Sequence, residues 1–244
     1  MRHGALVAAD VTGVAGKGTG GARAERVRLR TARGRSASSQ RWLHRQLNDP
    51  YVQEARRLGY RSRAAFKLLQ LDERFGLLRP GMRVVDLGAA PGGWTQVATA
   101  RVGGSGLVIA LDMVAMDPVA GALVLEADFM EEAGLGAVLN ALAGTADLVL
   151  SDMAAPTTGH APTDYLRTSA LCEAAYDLAE QVLAPDGAFV AKVFRGGSEA
   201  GLLARMKRSF ATVRHAKPDA SRPRSPETYV VARGFRGPPA VEQS

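Results

Sequence analysis

The chain has 244 residues, a length that suits one α/β domain with additions. Hydrophobic residues make up 46% of it and aromatic residues 6%, and no run approaches the roughly 20 apolar residues of a membrane span. The single Cys172 excludes an internal disulfide or a cysteine cluster for zinc, and the absence of a signal-peptide pattern points to a reducing cytoplasm.

The formal net charge is +7, with a pI near 10.0, and its distribution is uneven. In residues 1–67, 13 Arg and 2 Lys stand against Asp10, Glu25, Asp49 and Glu54, an excess of 11 positive charges; the remaining residues therefore carry a net −4. A basic N-terminal third on a mildly acidic body points to a polyanionic partner, with a solubilising tail as the alternative.

Residues 1–36 are rich in Gly, Ala and Arg without an apolar period and read as a flexible basic arm. Gly16-Lys17-Gly18 fails the phosphate-loop motif in its glycine spacing and in the residue after Lys17. Ser38 or Ser39 caps a helix through Leu47, which Asn48-Asp49-Pro50 breaks. A helix follows over Tyr51–Leu58. Another covers Arg61–Leu71, where Ala65, Leu68, Leu69 and Asp72 share helical spacing and Lys67 sits one turn inside. Pro80-Gly81 ends this module.

From there the pattern is βα. Strands are expected at Met82–Leu87, Gly106–Leu111, Ala122–Ala127 and Ala146–Ser151, with helices after Gly93 and through Leu139 and Leu142. A long loop, Met153–Pro162, leads to a helix capped by Thr163 or Asp164 that runs to about Leu183. Cys172 falls in that helix and reads as a small buried hydrophobe. Pro185-Asp186-Gly187 turns into the strand Ala188–Phe194. A helix from Ser198 to Phe210 and strands at Ala211–Lys217 and Glu227–Arg233 complete the order.

The stretch Val84 to Trp94 joins a buried strand, a small-residue turn and a helix start, the usual place of a nucleotide cofactor in an open α/β sheet. Acidic residues recur at strand ends: Asp86, Asp112, Asp128 and Asp152. The carboxyl ends of parallel strands converge on one crevice, and Asp112, 24 positions after Gly88, suits the two hydroxyls of a ribose. NAD and S-adenosylmethionine both contain one. The turn Gly88-Ala89-Ala90-Pro91-Gly92-Gly93 departs from G-x-G-x-x-G, and Pro91 lacks an N–H that a phosphate would use, which favours adenosylmethionine. Lys192 interrupts the apolar run Phe189–Phe194. Either it faces solvent on an edge strand, or it is buried, paired with Asp152 from a neighbouring strand end, and a candidate general base.

Five separated motifs resemble the FtsJ/RrmJ (RlmE) family, the bacterial large-subunit ribosomal RNA 2′-O-methyltransferases. They are Arg61–Leu68, Asp86–Trp94, Ser151-Asp152-Met153-Ala154, Val190–Phe194, and Lys217-Pro218-Asp219 through Tyr229. The resemblance covers roughly residues 35–235 and implies a class I methyltransferase (Rossmann-like) fold: a seven-stranded, mostly parallel sheet, helices on both faces, the last strand antiparallel. It implies a catalytic set of Lys67, Asp152, Lys192 and Glu227, and adenosylmethionine contacts at Gly92, Trp94, Asp112, Asp128 and Asp152. The implied substrate is a uridine ribose of 23S rRNA in the assembled large subunit, with Lys192 as base and Arg61, Arg63, Arg222 and Arg224 on phosphates.

The expected organisation is a basic arm at 1–36, one methyltransferase domain at 37–235 and a loose tail at 236–244. Within the domain, 37–80 is a basic helical module facing RNA and 82–235 the Rossmann-like core. A cytoplasmic monomer without metal is expected. Ala155 and Thr157-Thr158 replace a more polar, asparagine-bearing version of the family's loop after Asp152. Methylation of tRNA or another RNA, and a catalytically silent RNA-binding assembly factor, are the alternatives.

Overall fold

The computed structural model describes residues 47–194 and 200–238. The arm at 1–36, most of the helix expected from Ser38, and Ser198 lie outside the described residues. From Asp49 onward the chain forms one compact unit.

Two helices open it, α1 (Pro50–Leu58) and α2 (Ala65–Phe75). Asp49 caps α1 by accepting from the Tyr51 backbone N–H at 3.0 Å, Pro50 presets the first turn, and Gly59 ends the helix in the left-handed region. The βα core then runs β1 (Arg83–Leu87), α3 (Gly93–Val102), β2 (Leu107–Asp112), β3 (Ala122–Glu126), α4 (Glu132–Leu142), β4 (Ala146–Ser151), α5 (Ala161–Val182), β5 (Leu183–Phe194), α6 (Ala200–Ser209), β6 (Phe210–Ala216) and β7 (Glu227–Phe235).

The seven strands form one sheet in the order β3-β2-β1-β4-β5-β7-β6. β7 is inserted antiparallel between β5 and β6, and the other pairings are parallel. β1, β4 and β5 lie inside the sheet and are apolar on both faces, as buried parallel strands are. One face packs under α4, α5 and α6 through Val138, Leu142, Tyr176 and Met206. Cys172 is buried in that core. The other face packs under α2 and α3 through Leu68, Leu71, Val97 and Ala98.

Two local expectations change. Pro185-Asp186-Gly187 does not precede β5 but lies within it, as an irregularity that shifts the register between Ala146↔Leu183 and Leu148↔Ala188. Asp186 takes a left-handed φ of 64°, so the turn chemistry produces a kink rather than a chain reversal. α5 starts at Ala161, earlier than a Thr163 or Asp164 cap would place it, because Pro162 fits the first turn. The Asp164 carboxylate instead accepts from the Thr158 N–H and hydroxyl, both at 2.7 Å, and fastens the preceding loop.

Gly134 packs α4 directly against the segment that carries Asp128. A Cβ there would lie 1.9 Å from the Asp128 carbonyl oxygen. At an open helical site Gly→Ala stabilises by about 1 kcal/mol; here the neighbour is backbone, so the sign reverses. Gly134→Ala is expected to lower the unfolding free energy by about 2 kcal/mol, measured by urea denaturation.

Candidate active site

The sheet places the predicted residues at one edge. Leu87 pairs with Ser151 and Ser151 with Ala191, so Gly88 and Asp152, just past the ends of β1 and β4, lie level with Lys192 near the end of β5. The antiparallel β7 sets Tyr229 opposite Lys192 and Glu227 opposite Phe194. Strand side chains alternate, so Lys192 shares the face of Val190, which belongs to the core under α2 and α3. α2 lies over that core and brings Lys67 to the same spot. β5 is an interior strand and Lys192 is 8% exposed, which rules out the solvent-facing edge position.

Lys67, Asp152, Lys192 and Glu227 form one buried ion cluster. Lys192 Nζ lies 2.8 Å from Asp152 Oδ1 and donates to the Asp152 backbone carbonyl at 2.7 Å. Lys67 Nζ is 2.9 Å from Glu227 Oε2 and 3.5 Å from Asp152 Oδ2. Glu227 Oε2 stands 3.7 Å from Lys192 Nζ. Burial alone would raise the pKa of both carboxyls, but the charges of Lys67 and Lys192 overcome it and hold both below their ordinary values. Two cations and two anions thus compensate each other's desolvation.

The sequence places Tyr229 only at the end of the last motif, yet its hydroxyl donates to Asp152 Oδ1 at 2.6 Å. Burial, followed by the charges of Asp152 and Glu227, pushes its phenol well above the usual range, so it remains a donor. A sequence signal existed: Tyr229 lies two residues after Glu227, on the same strand face.

The β1–α3 turn is closed on itself. The N–H groups of Gly88 and Ala89 donate to Leu111 O, that of Ala90 to Asp112 Oδ2 at 2.9 Å, and that of Gly92 to Ala89 O at 2.7 Å. Pro91 has none. These four groups are therefore spent within the protein rather than left for a phosphate. Gly92 has a φ of 105°, and a Cβ on it would meet Arg61 Nη1 at 2.9 Å and Val119 Cγ2 at 3.0 Å.

Asp112 and Asp128 sit at the ends of β2 and β3, half-buried. Asp112 accepts one backbone N–H on each oxygen, from Ala90 and Val114, and Asp128 accepts one from Met130. A carboxylate has about four acceptor sites, so each retains capacity for hydroxyl or amine donors. Met113, Val114 and Met130 are exposed apolar side chains beside them. The Trp94 side chain is turned inward: its Nε1 donates to Ala64 O at 2.8 Å and its ring packs on Tyr229 at 5.6 Å. What Trp94 presents to a ligand is backbone.

Two arginines expected on phosphates are engaged within the protein. Arg61 donates to Asp117 O at 2.6 Å, Pro118 O at 2.7 Å and Pro91 O at 3.2 Å. It straps the segment after Asp112 to the β1–α3 turn. Arg63 pairs with Asp49 and donates to Ala220 O. Arg222 is looser, 3.8 Å from Asp49 and 44% exposed in its side chain, and Arg224 is exposed.

The model of the FtsJ-like methyltransferases matches residues 60–235, which contain the four-residue ion cluster, the β1–α3 turn and the strand-end carboxylates. The chain belongs to that family. Proteins described as ribosomal RNA large subunit methyltransferase E are similar to the methyltransferase over most of its length. The one from Rhodospirillum rubrum is 60% identical, covering 92% of this chain and 87% of that protein. The one from Paramagnetospirillum magneticum is also 60% identical, covering 89% and 91%. A crystal structure of a ribosomal RNA methyltransferase from Plasmodium falciparum superposes with a TM-score of 0.63 at 28% identity, covering 73% of this chain and 100% of that one. The methyltransferase therefore has the class I fold: a mostly parallel seven-stranded sheet whose final strand is antiparallel.

Asp86 gives the site a separate pH signature. It is 1% exposed and accepts from Thr95 Oγ1 at 2.7 Å. Burial raises its pKa from 3.8 to about 7; the Thr95 hydrogen bond opposes this, and the charges of Asp152 and Asp112 add to it. Between those two values the folded state holds a proton that the unfolded state has lost, so stability falls as pH rises across that window. Asp86→Asn is expected to become progressively more stable than wild type from about pH 4 to about pH 8, read from urea midpoints of the two proteins along the pH series.

Proposed function

We propose that this methyltransferase moves a methyl group from S-adenosylmethionine to the 2′-oxygen of a uridine ribose in 23S rRNA of the large ribosomal subunit. The observation that carries the reading is the buried Lys67–Asp152–Lys192–Glu227 cluster at the carboxyl ends of the parallel strands, level with the β1–α3 turn. It is supported by the names of the relatives described above.

The residues present fit adenosylmethionine. The β1–α3 turn spends four of its N–H groups within the protein, which disfavours a phosphate, a group this cofactor lacks. Asp112 takes the ribose hydroxyls, Asp128 the adenine amine, with Met113, Val114 and Met130 as apolar walls. Gly92 and the Trp94 backbone border the amino-acid end, next to Asp152. When bound, the cofactor supplies an electrophilic methyl on a sulfonium.

A ribose hydroxyl is a poor nucleophile until its proton leaves. Lys192 is the group placed to take that proton. Asp152 orients it through the 2.8 Å contact, and Tyr229 keeps the Asp152 carboxylate from turning. Lys67 and Glu227 hold the acceptor ribose and its phosphate in line with the methyl. Positioning of this kind is worth roughly 7–11 kcal/mol at its upper range. Helices α1 and α2 together with Arg222 and Arg224 face the RNA, so binding weakens with salt. The enzyme works as a monomer in the cytoplasm.

Ribose-methylation mapping of large-subunit RNA from cells with and without the protein tests the assignment. One uridine 2′-O-methyl group is expected to disappear on deletion. Loss of a methyl group from tRNA instead, with 23S rRNA unchanged, would overturn the substrate. A second prediction concerns the Arg61 strap. Arg61→Ala is expected to raise the KM for adenosylmethionine about tenfold with little change in kcat, measured by steady-state methyl transfer.

A further inference from the structure

Glu227 is held from both sides, and only one side belongs to the lysine pair. Its Oε2 faces Lys67 at 2.9 Å and Lys192 at 3.7 Å. Its Oε1 accepts a hydrogen bond from Ser221 Oγ at 2.7 Å. Ser221 is 3% exposed, so its hydroxyl is committed to a protein partner. We propose that Ser221 is a positioning residue for Glu227, and that Gln70 and Arg63 fix it there by pinning the neighbouring backbone. The inference rests on the role given to Glu227 above.

The loop before β7 is built to present that hydroxyl. Ala220 is fully buried; its N–H donates to Gln70 Oε1 at 2.8 Å and its carbonyl accepts from Arg63. Gln70 Nε2 in turn donates to the Tyr51 hydroxyl at 3.3 Å. The Ser221 N–H closes a turn onto Pro218 O at 2.9 Å, and Lys217 Nζ ties the loop to Ser225 O at 2.6 Å. Side chains from α1 and α2 thus set the height of Ser221, and Ser221 sets one oxygen of a carboxylate in the cluster.

The hydroxyl is not needed to start the strand. Ser225 Oγ already accepts from the Glu227 N–H at 3.2 Å. What Ser221 adds is control of the terminal carboxyl torsion, which is soft and broad without a partner. Released, the carboxylate turns toward Lys192 and draws the amine away from the acceptor. A donor on the carboxylate also favours its ionised form, so its loss raises the Glu227 titration.

The test uses the full-length enzyme and three variants: Ser221→Ala, Ser221→Thr, which keeps the hydroxyl, and Gln70→Met, which keeps the length but removes the amide. Single-turnover methyl transfer to undermethylated large subunits is read alongside the Glu227 carboxyl titration by carbon NMR. Ser221→Ala is expected to lower the transfer rate about tenfold, to leave adenosylmethionine affinity within about twofold, and to raise the Glu227 midpoint. Ser221→Thr restores both readouts, and Gln70→Met moves them in the same direction by less. An unshifted Glu227 titration in Ser221→Ala overturns the proposal, whatever its thermal midpoint does. If wild type itself transfers no methyl to large subunits, the assigned function fails, while the titration still decides the role of Ser221.

Discussion

The structure depends on one shared carboxylate. Asp152 receives Lys192 from β5, Lys67 from α2 and the Tyr229 hydroxyl from β7. Three elements remote in sequence are tied at the point where β4 ends. Taking these charges out of water costs several kcal/mol each unless paired. Glu227 supplies the second anion, and the cluster is neutral in total. Removing any one member leaves a buried charge uncompensated, so the four residues are coupled energetically as well as spatially.

The cofactor end follows a different rule. A Gly-rich turn at the end of a first strand usually leaves its N–H groups free for phosphate. Here Gly88, Ala89, Ala90 and Gly92 spend theirs on Leu111, Asp112 and Ala89. In the proposed reading the turn is a wall, and recognition falls to the carboxylates at the ends of β2 and β3. Arg61 completes that wall by binding three carbonyls on two segments, so a residue of the basic N-terminal region serves the cofactor side.

Much of this was legible in the sequence, for physical reasons. The βα period, the carboxylates at successive strand ends and a lysine inside an apolar strand are local patterns, and the sheet converts each into a position. Lys67, one turn into its helix, was placed by periodicity, but its meeting with Glu227 was not. That contact depends on β7 entering between β5 and β6, whereas the family resemblance implied only that the last strand is antiparallel. Tyr229, Ser221 and the strap made by Arg61 were missed as site residues because their roles lie in tertiary hydrogen bonds without a sequence period. Trp94, expected as a cofactor contact, turns its side chain inward onto Ala64 O and Tyr229, a placement that a motif position does not show. Pro185-Asp186-Gly187 shows the limit of turn chemistry: its left-handed Asp186 kinks a strand that the sheet keeps paired on both sides of it.

The central claim is that the buried lysine on β5 takes the proton of the acceptor hydroxyl. The most direct measurement is single-turnover transfer of labelled methyl from adenosylmethionine to purified large subunits from a deletion strain, comparing wild type with folded Lys192→Met. The account predicts a rate lower by about 10³-fold or more, with adenosylmethionine still bound. A Lys192→Met rate within about tenfold of wild type would contradict it.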